Sequence, residues 1–401
     1  MKHPQAWRGV ALAATALAVL GAGIATANAA TVDTKGGAAN NQAKAAPKDP
    51  TRGAKGVAGL VNAANAFLDT LSDDQKAEVL IDFTAENAAA WSNLPCAGTC
   101  RPGIALGDLT AEQLTAAKAV LTAATGTGTG TGIDQINDIL AADDLLAADY
   151  DPSTGPGGGG GPAPSSDASA APAPSAPSGG MGAFQYGSGY YYLAFLGTPS
   201  LTGTWELGFG GHHLAVHVTY KNGKGVSASP FFIGVEPISY TGADGATVEA
   251  MARQKNAIAA LTGSLSAKQL TAATLTESFG DVLVGPQQDG NFPATKEGVA
   301  VRTLAPKQKK LVLDAIKPWV AVADDATAQQ LLKVYESELD RTFVSVSGGT
   351  GYDTQGDYVR IDGPSVWIEF VVQNGIVYQD QVHYHTVYRD HTRDYGGEFS
   401  F

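Results

Sequence analysis

Residues 210–223, GGHHLAVHVTYKNG, lie without a gap on residues 362–375, DGPSVWIEFVVQNG, and this match decides how the 401-residue chain is read. Both segments alternate apolar with other side chains at the period of two that a β-strand imposes. Both end in Asn-Gly, the strongest short signal for a hairpin turn. Leu214, Val216 and Val218 make one apolar face, matched by Val366, Ile368 and Phe370. The opposite face carries His213, Ala215, His217 and Thr219, against Ser365, Trp367, Glu369 and Val371 in the second segment. His217 and Glu369 therefore hold equivalent positions.

The repeat extends to helices. Leu71-Ser72-Asp73-Asp74-Gln75, Leu109-Thr110-Ala111-Glu112-Gln113 and Leu265-Ser266-Ala267-Lys268-Gln269 each place a hydroxyl residue three positions before a glutamine. That is a capping box, in which side chains satisfy the orphan N–H groups of a helix start. Leu304-Ala305-Pro306-Lys307-Gln308 puts proline at the first helical position, where no N–H is needed. Leu71 and Leu109 are 38 residues apart, Leu265 and Leu304 are 39 apart, so the four starts form two pairs. The expected fold is α+β, a tandem duplication of a helical-hairpin plus antiparallel-sheet unit about a pseudo-twofold axis, with the two sheets meeting or merging.

Residues 1–29 read as a secretory signal peptide: Lys2 and Arg8 precede an apolar run that closes on Ala27-Asn28-Ala29. Residues 30–54 and the Gly/Pro/Ser/Ala-rich 151–182 have no period that would bury a core and read as linkers. Between them, 55–150 and 183–240 are the helical and sheet parts of copy 1, and 241–342 and 343–401 those of copy 2. No apolar run after the leader is long enough to span a bilayer, so the expected product is secreted and extracellular. The net charge of −13, with no basic stripe, argues against nucleic acid. In an oxidising compartment Cys96 and Cys100, the only cysteines, close most simply as a local disulfide.

Apart from His3, every histidine lies in two short strand-like pieces: His212, His213 and His217, then His383, His385 and His391. On one strand face His383 and His385 are about 7 Å apart, close enough to hold one ion. Imidazole is the commonest ligand for zinc, copper or iron, and a nearby carboxylate completes such a set. The Asn374-Gly375 hairpin brings Glu369 alongside the strand of His383 and His385, and His213 or His217 joins if the halves meet face to face. His212 and His213 point apart on a regular strand, so at most one reaches a given ion unless Gly210-Gly211 forms a bulge. His213 and His217, about 13 Å apart, are too far for shared ligation. His391 reads as a hydrogen-bonded residue. Arg389 and Asp390 offer a cation and a carboxylate to a pocket, or an ion-paired strand end. Tyr190-Tyr191-Tyr192 reads as an edge strand with an aromatic face. No nucleophile elbow, P-loop, HExxH or dinucleotide fingerprint occurs.

Phe195-Leu196-Gly197-Thr198-Pro199, Trp205 with Phe209-Gly210-Gly211-His212-His213-Leu214, Gly363-Pro364 with Ile368-Glu369, and His383-Tyr384-His385-Thr386-Val387-Tyr388-Arg389-Asp390 resemble the bacterial family catalogued as domain of unknown function 3500. So do Trp91-Ser92-Asn93-Leu94-Pro95 and Leu106-Gly107-Asp108-Leu109-Thr110. The resemblance implies a secreted or envelope protein with no assigned activity. Its matching positions are His212, His213, Glu369, His383, His385, Arg389 and Asp390; His217 stands where the family has a smaller polar residue.

Three functions follow as expectations. One is a metal-dependent hydrolase or oxidoreductase using zinc, copper or iron on His212 or His213 with Glu369, His383 and His385, and Arg389 and Asp390 at the reaction. Another is a binding module for a small molecule or extracellular polymer. The third is a scaffold whose histidines stabilise the junction of the repeats.

Overall fold

The computed structural model describes residues 55–151 and 184–401. The expected leader, the linker at 30–54 and, apart from Asp151, the linker at 151–182 lie outside the described residues.

The helices begin where the capping signals put them. Ser72, Thr110 and Ser266 each accept from the backbone N–H three residues on, while Gln75, Gln113 and Gln269 reach back. Pro306 opens the fourth. The same glutamines bond in pairs, Gln113 to Gln75 and Gln308 to Gln269, at 2.9 Å each, so one helix start is pinned to the other. Nine helices are present among the described residues. The one that matters for the site, α1, runs from Ile133 to Asp149. Its Ile136, Ile139, Leu140 and Leu146 make a buried stripe at helical spacing.

Ten strands form the spine of one twelve-stranded sheet. They are β1 (Leu80–Ile81), β2 (Tyr192–Leu196), β3 (Thr204–Gly211), β4 (Leu214–Lys221), β5 (Phe231–Val235), β6 (Val299–Ala300), β7 (Phe343–Ser347), β8 (Tyr358–Asp362), β9 (Val366–Asn374) and β10 (Val382–Asp390). Their spatial order is β1-β2-β3-β4-β5-β10-β9-β8-β7-β6, with Ile104–Ala105 on β2 and Lys224–Ser227 on β4. All neighbours along the spine are antiparallel except β1 and β2. The two sheets expected from the sequence are thus one, joined where β5 pairs with β10 through Phe231 opposite Tyr388 and Gly234 opposite His385. The mixed α+β class holds. β2 has partners on both sides, so the Tyr190–Tyr192 segment does not begin an edge strand.

Leu214, Val216, Val218, Val366, Ile368 and Phe370 all lie in the main core under the helices. The opposite face is not left to water. Trp91 covers Ala215, Phe232 and Val387, and Ala88 and Tyr395 cover Ala194 and Leu196. Arg389 holds the chain that crosses this face, donating to the carbonyls of Val284 and Gly285. Cys96 and Cys100 form the expected disulfide.

Only one Asn-Gly makes a two-residue turn. Asn222 (φ 49°) and Gly223 (φ 73°) link paired Lys221 and Lys224, the left-handed pair a tight hairpin requires. At Asn374-Gly375 a longer loop intervenes before Val382, the partner of Asn374. Glu236 holds that loop out by accepting from the N–H groups of Val377 and Tyr378, both at 2.8 Å.

Candidate metal centre

Gly211 pairs with Leu214, so His212 and His213 are the two residues of the β3–β4 turn and not strand residues. Alternation between faces does not apply at a turn, and both rings fall to the same side with centroids 3.7 Å apart. The expectation that only one could face a given site is corrected by this turn. A side chain at Gly211 would strike the Tyr191 ring at 2.7 Å, so the turn can sit this close only with glycine there.

His383 and His385 lie two apart on β10, one sheet face, with ring centroids 4.4 Å apart. Beneath them passes Gly234 of β5. A Cβ there would lie 2.6 Å from His213 Cδ2 and 3.0 Å from His385 Cδ2, so this glycine lets imidazoles from the two halves close over the strand. His213 Nε2 then lies 3.1 Å from His383 Nε2. His213, His383 and His385 offer nitrogens all within 4.8 Å of one another, from residues that are 3%, 4% and 6% exposed. The β5–β10 join thus assembles residues 170 positions apart.

Each of these imidazoles turns Nδ1 toward a different carboxylate. His385 Nδ1 is 2.9 Å from Asp281 Oδ1, His383 Nδ1 is 4.0 Å from Glu236 Oε2, and His213 Nδ1 is 3.4 Å from Asp143 Oδ1. Only the His385–Asp281 contact is a hydrogen bond; there the carboxylate on Nδ1 orients the ring and leaves Nε2 as the free lone pair, as the outer partner of a metal-bound histidine does. Burial, followed by the charge of His212, lowers the His213 pKa to about 3, and burial drives His383 well below the ordinary imidazole value. Both are neutral at pH 7, as a ligand must be. Burial pushes the Asp143 carboxyl up, but His212 and His213 outweigh it and hold the group well below the usual carboxylate range. Asp281 is half-exposed and marks the solvent side.

The spacing suits an ion. Metal–nitrogen bonds of about 2.0–2.1 Å around a tetrahedral centre put neighbouring nitrogens roughly 3.3 Å apart, near the observed 3.1 Å. Four polar atoms around the rings, Asp143 Oδ1, His212 Nε2, His213 Nδ1 and His383 Nδ1, are buried without a hydrogen-bond partner. Such orphans cost about 1–3 kcal/mol each unless something else satisfies them.

The carboxylate expected from Glu369 is elsewhere, and this corrects the sequence reading. Glu369 shares the sheet face of the imidazoles but stands opposite Val387, whereas His385 and His383 stand opposite Val371 and Gln373. Its oxygens accept from the Leu283 and Val284 N–H groups, the Tyr358 hydroxyl and the Trp367 indole at 2.7–2.9 Å, so it has no lone pair turned to the histidines. Arg389 and Asp390 are corrected likewise. Arg389 is fully buried between Asp289 and Asp394, and Asp390 accepts from Tyr335, Thr392 and Arg393, so both serve the fold. His217 pairs with Glu206 at 2.9 Å, and His391 lies 3.3 Å from Asp362 against the Phe292 ring.

The carboxylates that do surround the rings were missed from sequence. Asp143 had a signal: it occupies the same stripe of α1 as Ile136, Ile139 and Leu146, an acid in an apolar row. Glu236 ends the apolar run of β5 before a proline, a weaker cue. Asp281 sits in a long irregular segment, and no periodicity points to it.

A family model described as a protein of unknown function (DUF3500) matches residues 53–397. No curated protein and no solved structure matches the chain.

Proposed function

The chain belongs to the DUF3500 family, and we propose that it is a secreted metal-binding protein whose ion is held by His213, His383 and His385, with zinc the best-suited metal. The observation that carries this is the arrangement of three buried imidazoles, each with Nδ1 toward its own carboxylate and the Nε2 atoms of His213 and His383 converging at 3.1 Å. An ion with three protein nitrogens keeps a position for water or a substrate group, which is how hydrolytic metal sites are built. A metal-dependent hydrolase is therefore the activity this reading favours; copper or iron in the same site would favour an oxidoreductase. Asp281 orients the His385 ring, and Glu236 adds negative charge beside His383. The leader at 1–29 is cut after Ala29, which places the product outside the cell, where its substrate is a small molecule or an extracellular polymer.

The site lies on the join between two copies of one unit. Several correspondences support the duplication. Leu80 runs parallel to Phe195 and Thr274 parallel to Val346; Ile104 and Val299 pair antiparallel to Leu193 and Val344. Gln75–Gln113 and Gln269–Gln308 repeat the same helix lock. With β4 laid on β9, the His217–Glu206 contact falls on Glu369–Tyr358. A pseudo-twofold axis would pass between β5 and β10.

A second reading is favoured by the same 3.1 Å contact: an imidazole–imidazole hydrogen bond that only ties the copies together. Elemental analysis of protein secreted without an affinity tag separates the two. A stoichiometric metal that is lost in His385→Ala, with the fold retained, supports the site; metal-free native protein supports the tie.

A further inference from the structure

We propose that a second cation binds between Asp143, His212 and His213, with the His213 ring bridging the two ions. The inference rests on the metal reading of His213, His383 and His385, and adds a site that those residues do not make. His212 Nε2 lies 3.2 Å and His213 Nδ1 3.4 Å from the same oxygen, Asp143 Oδ1. At those distances a hydrogen bond would be expected, yet none of the three atoms forms one with any protein group. All three residues are nine-tenths buried or more. Three lone-pair atoms, mutually close but not aligned for hydrogen bonding, are spaced like the edges of a metal coordination shell, roughly 3.3 Å. The other Asp143 oxygen is occupied, accepting from the Gly187 N–H at 3.1 Å, so the unpartnered one is held in place.

The connection to the first site is the His213 ring itself. Its Nδ1 faces Asp143 and His212 while its Nε2 faces His383, so the two groups use opposite edges of one imidazole. Bridging takes the ring's remaining proton, which is released to solvent as the second ion enters. The resulting imidazolate carries one negative charge. With the carboxylates of Asp143, Glu236 and Asp281 it offsets the four positive charges of two divalent ions, which a buried site requires. Zinc or copper(II) suits the mixed nitrogen and oxygen set. The Tyr186 ring packs edge-on against that of His212, with centroids 4.9 Å apart.

The test is metal content of untagged wild type, His212→Ala and His385→Ala after dialysis against zinc, with circular dichroism checking the fold. Two equivalents in wild type and one in His212→Ala are expected, with His385→Ala keeping the second-site ion. One equivalent in wild type, unchanged in His212→Ala, overturns this inference and leaves the first site standing. One equivalent lost in His212→Ala but kept in His385→Ala overturns the first site instead. Because a variant can fail to fold, wild type loaded with copper(II) gives an independent readout: a bridged pair shows a weakened, exchange-coupled paramagnetic resonance signal. Two uncoupled copper signals would overturn the bridge.

Discussion

The Nε2 atoms of His213 and His383 lie 3.1 Å apart across the line where the two halves of the sheet join, one from a turn and one from a strand. Neither half contains the set alone. Ligand binding at such a junction links both halves, so a bound ion should stabilise the whole fold by mass action. Removal of metal with a chelator is expected to lower the unfolding temperature of wild type by clearly more than that of His383→Ala, as read by differential scanning calorimetry.

Asp281→Asn should weaken metal binding by about 10–100-fold, the usual effect of losing an outer carboxylate. The side chain is half-exposed, so stability without metal should be nearly that of wild type. Titration with zinc against a competing chelator measures this. Equal affinities would remove Asp281 from the account.

Gly234→Ala places a methyl 2.6 Å from His213 and 3.0 Å from His385. The rings must move apart, since the β5 backbone is fixed by pairing on both sides. The expected outcome is loss of metal together with a destabilisation of about 1–3 kcal/mol from overpacking. Zinc content and urea unfolding, measured on one preparation, report the two effects separately.

Glu369→Gln should be costly without touching the metal. The buried carboxylate accepts four hydrogen bonds, and an amide replaces one acceptor oxygen with a donor facing N–H or O–H groups. A loss of about 3 kcal/mol or more in urea unfolding is expected, with metal stoichiometry unchanged. Metal loss in a folded Glu369→Gln protein would restore the role that the strand register removes.

The metal-free protein should lose stability as pH falls below about 6.5. Burial and the charge of His212 depress the His213 pKa from 6.5 to about 3, and burial lowers His383 as well. Between those pH values the unfolded chain binds protons that the fold refuses, so the stability present above pH 6.5 is lost progressively on acidification. Asp143, His212, His383 and His385 are the titratable groups that face His213. Urea midpoints of the chelator-treated protein at pH 7 and pH 5 measure the slope, which should flatten in His213→Gln.

Local signals were the legible part of this fold. Capping boxes act within one turn of helix, so Ser72, Thr110 and Ser266 announce their helices without any tertiary context. Alternation fixes which face of a strand is core, and Leu214 through Val218 and Val366 through Phe370 obey it. Long-range register is not local. Face alone made Glu369 a neighbour of His383 and His385, but the pairing displaces it to Val387, and the loop held open by Glu236 replaces the tight turn that Asn374-Gly375 suggests. His212-His213 look like strand residues because the alternation from Leu214 onward reads back into them, and Gly210-Gly211 signals a bulge as well as a turn; the Gly211–Leu214 pairing makes it a turn. The carboxylates come from α1, the end of β5 and an irregular segment, brought together only by packing.

The most direct test is the metal content of the protein collected from the medium without an affinity tag, compared with a His383→Ala/His385→Ala double variant of equal circular dichroism. One more tightly held transition-metal ion per wild-type chain than per double-variant chain is the predicted result. A folded wild type that carries no metal and takes up none from micromolar zinc would contradict the account.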